Sequence, residues 1–244
     1  MTTTHEEITE AIVLKRTPYK ENDMILHIYS KEFGKIGVRA RGIRKMTSKN
    51  AKACQEMMLS EFMLDVRKGL SSLRRATPIH YLRHIKENID SEIVGNYILE
   101  YFYRYAEENK PSMEEYEILI QSLQALDEGY HPMLVYLLFN AYILKHNGVS
   151  IEVDGCVICG SSHVISISLE DGGFLCQDHL SHHHVYPVDV LKAFRHIHKV
   201  PMNKIGTLHI EEKMIKELIK IMEGFIEEYT GIHLRTQVFI QQIM

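Results

Sequence analysis

The chain has 244 residues, enough for one large domain or two smaller ones, and an ordinary folded-protein composition of 45% hydrophobic and 25% charged residues. Its most apolar run, residues 133–144, is too short to cross a bilayer. The acidic first segment has no apolar core of the kind that secretory signals need. These features argue against a membrane or secreted protein, and we expect a cytoplasmic location.

The net charge of −4 hides a strong asymmetry along the chain. Residues 1–80 carry 15 Lys and Arg against nine Asp and Glu, a balance of +6, whereas residues 81–244 carry 13 against 23, a balance of −10. A basic segment joined to an acidic body is typical of a protein that binds a polyanion through one module.

The first 80 residues contain five short apolar runs, at 10–16, 24–29, 36–41, 57–66 and 73–81. In the third run Ile36, Val38 and Ala40 alternate with Gly37, Arg39 and Arg41, which predicts a strand with one buried and one cationic face. Five such strands separated by turn signals favour a small barrel, and a five-stranded OB-fold is the specific prediction.

From about residue 83 the apolar spacing changes from two to three or four, which indicates helices. We expect helices over 93–105, 116–126, 134–144 and 214–229. The third is apolar nearly all round and is therefore predicted to be central. Gly148 and Gly231 are typical residues at which a helix ends.

Three of the four cysteines fall within 21 residues, in the pattern Cys-x2-Cys-x16-Cys-x2-His formed by Cys156, Cys159, Cys176 and His179. In a cytosolic chain such clustering favours a metal site over a disulfide. Four ligands of these types can close a tetrahedral zinc site with no position left for water, so we predict one structural Zn²⁺ per chain.

Two alternatives remain open at this site. The cysteines could be reduced thiols without an ion, and His163 or the run 182–184 could supply the fourth ligand in place of His179. The intervening residues predict a hairpin, with strands around 164–169 and 174–175 and a turn at 171–173, which would bring the two ligand pairs together.

No acidic residue lies between positions 33 and 55. The candidate DNA-binding residues of this basic segment are Lys35, Arg39, Arg41, Arg44, Lys45, Lys49 and Lys52. A cationic strand continued by a loop suits a phosphate backbone, although a charge run is often only a solvated surface. Tyr19, Tyr29 and Phe62 could stack on bases, but the sequence does not single out any of them.

The sequence contains none of the common catalytic motifs. The chain has no phosphate-cradling P-loop, no GxSxG and no GxGxxG. A zinc deaminase needs His-x-Glu before its Pro-Cys-x-x-Cys, whereas here His209 and Glu211 follow the cysteines. We therefore expect a protein that is not an enzyme.

Several segments together resemble the RecO family of recombination mediators. They are residues 11–14, 19–23, 33–35, 40–45 with 48–49, 156–160, 172–176 and 234–236. The resemblance spans nearly the whole chain in the right order. Zinc-bearing members commonly end the metal site with cysteine, whereas this chain has His179, and other members lack the cysteines altogether.

The resemblance implies an N-terminal OB-fold, a helical body and a zinc module. It also implies binding to single-stranded and double-stranded DNA, annealing of complementary strands without ATP, and a nucleoid-associated location. With RecR, such a protein helps RecA replace the single-strand-binding protein SSB, whose acidic C-terminal tail it binds. Basic surfaces near Arg83 or Arg104 are candidate sites for that tail.

The expected protein is thus of the α+β class, with an OB-fold barrel followed by a helical domain that carries an inserted zinc-binding hairpin. The domain boundaries are 1–81 for the DNA-binding barrel, 82–153 and 183–244 for the two parts of the helical domain, and 154–182 for the zinc module. The sequence is compatible with two other functions. A zinc-dependent nucleic-acid enzyme would turn over DNA, and a zinc-bearing transcription regulator would prefer particular sequences.

Overall fold

The computed structural model describes residues 5–243. The chain forms two compact units, Met1–Gly129 and Tyr130–Met244. Among the described residues, the first unit contains the barrel and three α-helices, and the second contains four α-helices and a small sheet. Within residues 5–243, no helix is both long enough and apolar enough to span a membrane.

The barrel of the first unit has five strands: β1 (His5–Tyr19), β2 (Asp23–Ser30), β3 (Gly34–Ala40), β4 (Leu59–Val66) and β5 (Ser71–His80). They are hydrogen-bonded in the order β1-β2-β3-β5-β4, and β4 returns to β1 to close the barrel. Among the strand pairings described for the barrel, only β3–β5 is parallel. The predicted five-stranded OB-fold barrel is confirmed.

Strand β1 is more than twice as long as the apolar run 10–16 that predicted it, because its two halves pair with different strands. His5–Ile12 pairs with β4, and Ala11–Tyr19 pairs with β2. The register shifts between Val13 and Lys15, a bulge that lets the strand bend around the barrel. The predicted strand 10–16 is shorter than β1, because the ends of β1 are polar. Hydrogen bonds to the neighbouring strands hold these ends in the sheet, and a pattern of apolar residues does not reveal them.

Apolar side chains from every strand fill the barrel. In β3, Ile36, Val38 and Ala40 are at most 5% exposed, and Gly37 and Arg39 are partly exposed. The predicted alternation of β3 is therefore confirmed. The core is completed by residues such as Val13, Leu26, Ile28, Phe62 and Leu64, all 0% exposed.

Three helices pack with the barrel in the first unit: α1 (Arg83–Glu87), α2 (Ile89–Tyr105) and α3 (Met113–Asp127). The side chain of Asn88 caps α2 by accepting from the Ser91 N–H, and Ser112 caps α3 in the same way. The ring of Phe102 in α2 meets Tyr29 of β2 edge-on, with centroids 5.4 Å apart. This contact fixes α2 on the outer surface of the barrel.

The second unit is built around α4 (Pro132–His146), which packs against α6 (Glu212–Thr230). Every residue from Met133 to Asn140 of α4 is buried, as expected for a helix that is apolar all round. Gly148 and Gly231 follow these helices with positive φ, at 76° and 60°. Both predicted helix ends are confirmed.

In the described part of the chain, the remaining strands are β6 (Glu152–Cys156), β7 (Val164–Ser168) and β8 (Gly173–Cys176), and the remaining α-helices are α5 (Val188–Lys199) and α7 (Gln237–Ile240). The strands form a sheet in the order β6-β8-β7. Helix α5 was not predicted, although Val190, Phe194 and Ile197 give it an apolar side. The stretch that shows helical spacing is short, and the histidines in and around it interrupt the apolar pattern.

Candidate nucleic-acid interface and metal centre

The loop 41–58 joins β3 to β4 and consists of successive turns. Its beginning is tied to the turn between β1 and β2 through Asp23, whose carboxylate accepts hydrogen bonds from the Arg39 guanidinium at 2.7 Å and from the Gly42 N–H at 2.8 Å. The Gly42 N–H and then the Arg39 guanidinium hold the pKa of Asp23 below its usual value. The loop therefore leaves the barrel in a fixed direction.

Arg44 adds two further links to the same turn. Its backbone N–H donates to the Asn22 carbonyl, and its guanidinium donates to the Glu21 carbonyl, both at 3.1 Å. Gly42 has φ of 61°, and its carbonyl accepts from the Lys45 N–H at 3.1 Å. Residues 42–45 thus form an ordered turn against residues 21–23.

The second half of the loop closes over the barrel with apolar residues inward. Ala53 and Cys54 are 0% exposed and join the barrel core. The Arg16 guanidinium donates to the Gln55 amide oxygen at 2.6 Å, and the Arg16 N–H donates to the Glu56 carboxylate at 2.9 Å. Because both ends of the loop are anchored, its cations project from a defined surface.

Five of the seven cations predicted to bind DNA lie on this loop, with their side chains exposed or partly exposed: Arg41, Arg44, Lys45, Lys49 and Lys52. Arg39 is partly exposed and engaged with Asp23. We name the five side chains on the loop the loop cations.

Lys35 is placed differently from the other predicted DNA-binding residues. It is 8% exposed, and its ammonium donates to the Tyr103 carbonyl at 3.1 Å. That carbonyl lies in the last turn of α2, where helix carbonyls lack partners within the helix and a cation is favourable. Burial lowers the pKa of Lys35. Lys35 therefore joins β3 to α2 in the interior of the unit and is not part of the surface that carries the loop cations.

The three aromatic residues that could stack on bases differ in their exposure to solvent. Tyr29 and Phe62 are 0% exposed and belong to the core, whereas Tyr19 is 37% exposed. The Arg39 guanidinium carbon lies 5.3 Å from the Tyr19 ring centroid, and the Lys20 ammonium lies 5.7 Å away. The sequence did not indicate this difference in exposure, because the predicted first strand ended at residue 16 and only the structure extends β1 to Tyr19.

The second candidate site is the group Cys156, Cys159, Cys176 and His179, whose ligand atoms all lie within 4.8 Å of one another. The Cys159 and Cys176 sulfurs are 3.7 Å apart, and His179 Nδ1 is 3.3 Å from the Cys176 sulfur and 3.7 Å from the Cys156 sulfur. A zinc tetrahedron has edges of about 3.8 Å between sulfurs and about 3.5 Å from sulfur to nitrogen. The donor set and its spacing therefore fit a tetrahedral metal ion.

The local fold explains how these side chains meet. Cys156 ends β6, and the next residues turn back, with the Gly160 N–H donating to the Cys156 carbonyl at 2.7 Å and Gly160 at φ of 73°. Cys176 ends β8, which pairs with β6 and with β7. A 3₁₀ turn at Gln177–His179 then brings in the histidine. The predicted hairpin of β7 and β8 is confirmed.

Backbone N–H groups make the pocket favourable for a thiolate. Burial alone would raise the pKa of the Cys156 thiol, but hydrogen bonds from the N–H groups of Cys176, Cys159 and Ile158 outweigh it and lower the pKa to about 6. Thiolate is the form that binds a metal.

The alternative histidines lie outside the group. His163 is exposed, and His183 Nε2 lies 3.7 Å from the Asp171 carboxylate. His179 is thus the histidine that the described structure brings to the three cysteines.

The metal-site sheet packs on α5 within the second unit. The ring centroids of Phe174 in β8 and Phe194 in α5 are 5.9 Å apart. The Phe194 ring also stacks on the Phe225 ring of α6, with centroids 5.7 Å apart. At the surface, Asp154 accepts from Arg195 at 2.8 Å and from Lys199 at 2.6 Å. The hairpin therefore has an apolar and an ionic connection to the helices in addition to its own small cluster around Leu175.

Comparison with known proteins agrees with this architecture. Residues 1–82 match the family model "Recombination protein O N terminal", and residues 86–237 match "Recombination protein O C terminal". Among curated relatives, the DNA repair protein RecO of Bacillus pumilus (strain SAFR-032) is 29% identical over 239 residues, which cover 96% of this chain and 93% of the relative.

The DNA repair protein RecO of Bacillus mycoides (strain KBAB4) is 29% identical over 238 residues, with 96% of each chain covered. That of Listeria monocytogenes serotype 4a (strain HCC23) is 29% identical over 243 residues, with 97% of this chain and 94% of the relative covered. Both halves of the family match in order, and relatives align along nearly the full length. The resemblance seen in the sequence is thus confirmed: the chain belongs to the RecO family, and its role is in DNA repair.

Proposed function

We propose that this protein is a non-catalytic recombination mediator that binds single-stranded DNA, and duplex DNA as well, through the loop cations and Arg39. The observation that carries the proposal is the anchored loop 41–58, which buries Ile43, Ala53 and Cys54 in the barrel core and presents five cations at its surface. Cations exposed on an anchored loop can bind phosphates without contacting base edges, so we expect binding that is nearly independent of sequence.

The proposal extends to strand annealing without ATP, because two strands whose charges repel can be held together by a cationic surface. With RecR, the protein would help RecA replace SSB. The SSB tail is acidic and would need a site that is both basic and apolar. Arg83 and Tyr81 offer such a combination, because the Arg83 guanidinium carbon lies 5.0 Å from the centroid of the Tyr81 ring.

The metal would be one Zn²⁺, held by Cys156, Cys159, Cys176 and His179. Its chemistry would be structural, as a crosslink between the ends of β6 and β8. Four protein ligands leave no coordination position for water or substrate, which favours this proposal over a zinc-dependent nucleic-acid enzyme. In this organisation residues 1–81 bind DNA and residues 154–182 form the zinc module. The helices of residues 82–153 and 183–244, which are divided between the two compact units, form the helical part of the protein.

The experiment that tests the function measures binding of the purified protein to labelled single-stranded and duplex DNA at two salt concentrations, followed by annealing of complementary strands without nucleotide. We expect binding to both DNA forms that weakens steeply with salt, together with annealing. Turnover of the labelled DNA after metal addition would support the enzyme instead. A strong preference for one sequence would support a transcription regulator.

A further inference from the structure

Tyr19 is an exposed aromatic residue on a barrel that buries Tyr29 and Phe62. It is the last residue of β1, where it pairs with Asp23 across the turn to β2. Its residue surface is 37% exposed, against 0% for Tyr29 and Phe62. A tyrosine ring that is partly exposed at a strand end can contact a ligand with its apolar face.

The ring is held in place by a fixed cation. The Arg39 guanidinium donates to Asp23 through Nη2 at 2.7 Å and through Nε at 3.2 Å, and its central carbon lies 5.3 Å from the Tyr19 ring centroid. Because two hydrogen bonds orient the guanidinium, it does not rotate freely, and the Tyr19 ring packs against a fixed group. A bound base would therefore meet a ring that is already ordered.

The same turn carries the start of the loop cations. Asp23 accepts from the Gly42 N–H, and Arg44 is bonded to the carbonyls of residues 21 and 22. The backbone that bears Arg44 is thus attached to the turn that begins directly after Tyr19. An aromatic face and exposed cations are thus combined at one end of the barrel, a combination that is common in proteins that bind single strands.

We propose that Tyr19 is a base-stacking residue that makes this surface prefer single-stranded over duplex DNA. This inference rests on the proposed function and specifies how its site distinguishes the two DNA forms. A base in a single strand offers a free π-face to the ring, whereas bases in a duplex are stacked on both sides. The loop cations contact phosphates in either form, so the discrimination depends on the ring.

The first test compares Tyr19→Leu and Tyr19→Phe with the unaltered protein on oligo(dT), on a duplex and on an abasic oligonucleotide of equal length. Tyr19→Leu should weaken oligo(dT) binding by about 5- to 150-fold, the range for loss of one stacked base. It should change binding to the duplex and to the abasic strand much less. Tyr19→Phe keeps the ring and should restore most of the lost affinity.

Tyr105→Leu is the matched control, because Tyr105 is 40% exposed and has the Arg104 guanidinium 5.8 Å from its ring. It should bind oligo(dT) like the unaltered protein. Thermal unfolding of each variant shows whether the barrel is intact.

The second test uses the absence of tryptophan from the chain. In Tyr19→Trp the new residue is the sole tryptophan, and stacking of a base should quench its fluorescence when oligo(dT) binds. The abasic oligonucleotide should leave the fluorescence unquenched. Tyr105→Trp should not respond to either ligand. This measurement does not depend on whether Tyr19→Leu folds.

The outcomes separate the two proposals. If the unaltered protein binds DNA but the fluorescence of Tyr19→Trp is not quenched, or if Tyr19→Leu loses the same affinity for the abasic strand as for oligo(dT), the stacking role is wrong and DNA binding stands. If the unaltered protein binds neither DNA form, the proposed function itself is wrong, and the stacking role falls with it.

Discussion

The carboxylate of Asp23 accepts two hydrogen bonds from the guanidinium of Arg39, at 2.7 and 3.2 Å, and so joins the start of β2 to the end of β3. A third hydrogen bond, from the Gly42 N–H, extends this junction to the first turn of the loop 41–58. One ionised carboxylate therefore contributes to the direction in which the loop cations leave the barrel, together with the hydrogen bonds of Arg44 to residues 21 and 22.

The stability supplied by this carboxylate should depend on pH. The folded-state pKa of Asp23 is lowered from its usual 3.8, so its contribution is present above that value and is lost as the pH falls through the folded pKa. Asp23→Asn should unfold at a lower temperature than the unaltered protein at neutral pH. In acid the two melting temperatures should converge. An equal difference at every pH would mean that the charge has no part in the junction.

The loop cations should supply a measurable share of the salt dependence of DNA binding. Each phosphate contact on single-stranded DNA contributes about −0.7 to the log–log salt slope. Replacing Arg41, Arg44 and Lys45 by Ala should weaken binding and flatten the slope by roughly two units if all three contact phosphate. Annealing should decrease in parallel, since it requires both strands to be held.

The matched control replaces three exposed lysines of the second unit, Lys192, Lys216 and Lys220, by Ala. It removes the same net charge, but the salt slope should remain close to that of the unaltered protein. If both triple variants bind alike and anneal alike, the loop cations are only a solvated surface and the DNA site lies elsewhere.

Lys35 should affect folding and not DNA binding, despite its place in the basic segment. Lys35→Met keeps most of the aliphatic stem but removes the donor to the Tyr103 carbonyl. The free energy of unfolding should fall by about 1–3 kcal/mol, the range for losing a buried hydrogen bond from a charged group. Chemical denaturation measures this loss. The salt slope of DNA binding by the folded variant should be unchanged, and a flatter slope would assign Lys35 to the interface.

The metal group should hold one zinc per chain. Elemental analysis of untagged protein should find a ratio close to one, and Cys176→Ser should lower it sharply. Cys54→Ala is the control, because Cys54 is buried in the barrel core of the other unit. Its zinc content should match that of the unaltered protein. Substoichiometric amounts of every metal in the unaltered protein would contradict the site.

The identity of the fourth ligand can be tested by substitution. His179→Ala should weaken zinc retention against a competing chelator, whereas His179→Cys should preserve it, because a thiolate is also a normal zinc ligand. His163→Ala and His183→Ala should retain zinc as well as the unaltered protein does. Weaker retention in either of these two, with normal retention in His179→Ala, would move the ligand to another histidine.

Local patterns in the sequence were enough to predict the elements that depend on local physics. The alternation in β3 shows which side chains face the barrel, because successive side chains of a strand point to opposite faces. Gly148 and Gly231 mark helix ends because glycine adopts positive φ without strain. The Cys-x2-Cys and Cys-x2-His spacings predicted the members of the metal group, which the hairpin then brings together.

Only the tertiary structure decided what each member of the basic and aromatic sets does. Lys35 and Arg41 have similar sequence surroundings, yet Lys35 lies beneath the end of α2, with its ammonium bonded to a carbonyl 68 residues away, and Arg41 faces solvent. Tyr19 and Tyr29 both lie in strands, but Phe102 covers only Tyr29. Exposure depends on which distant element packs over a residue, and spacing along the chain carries no information about that contact.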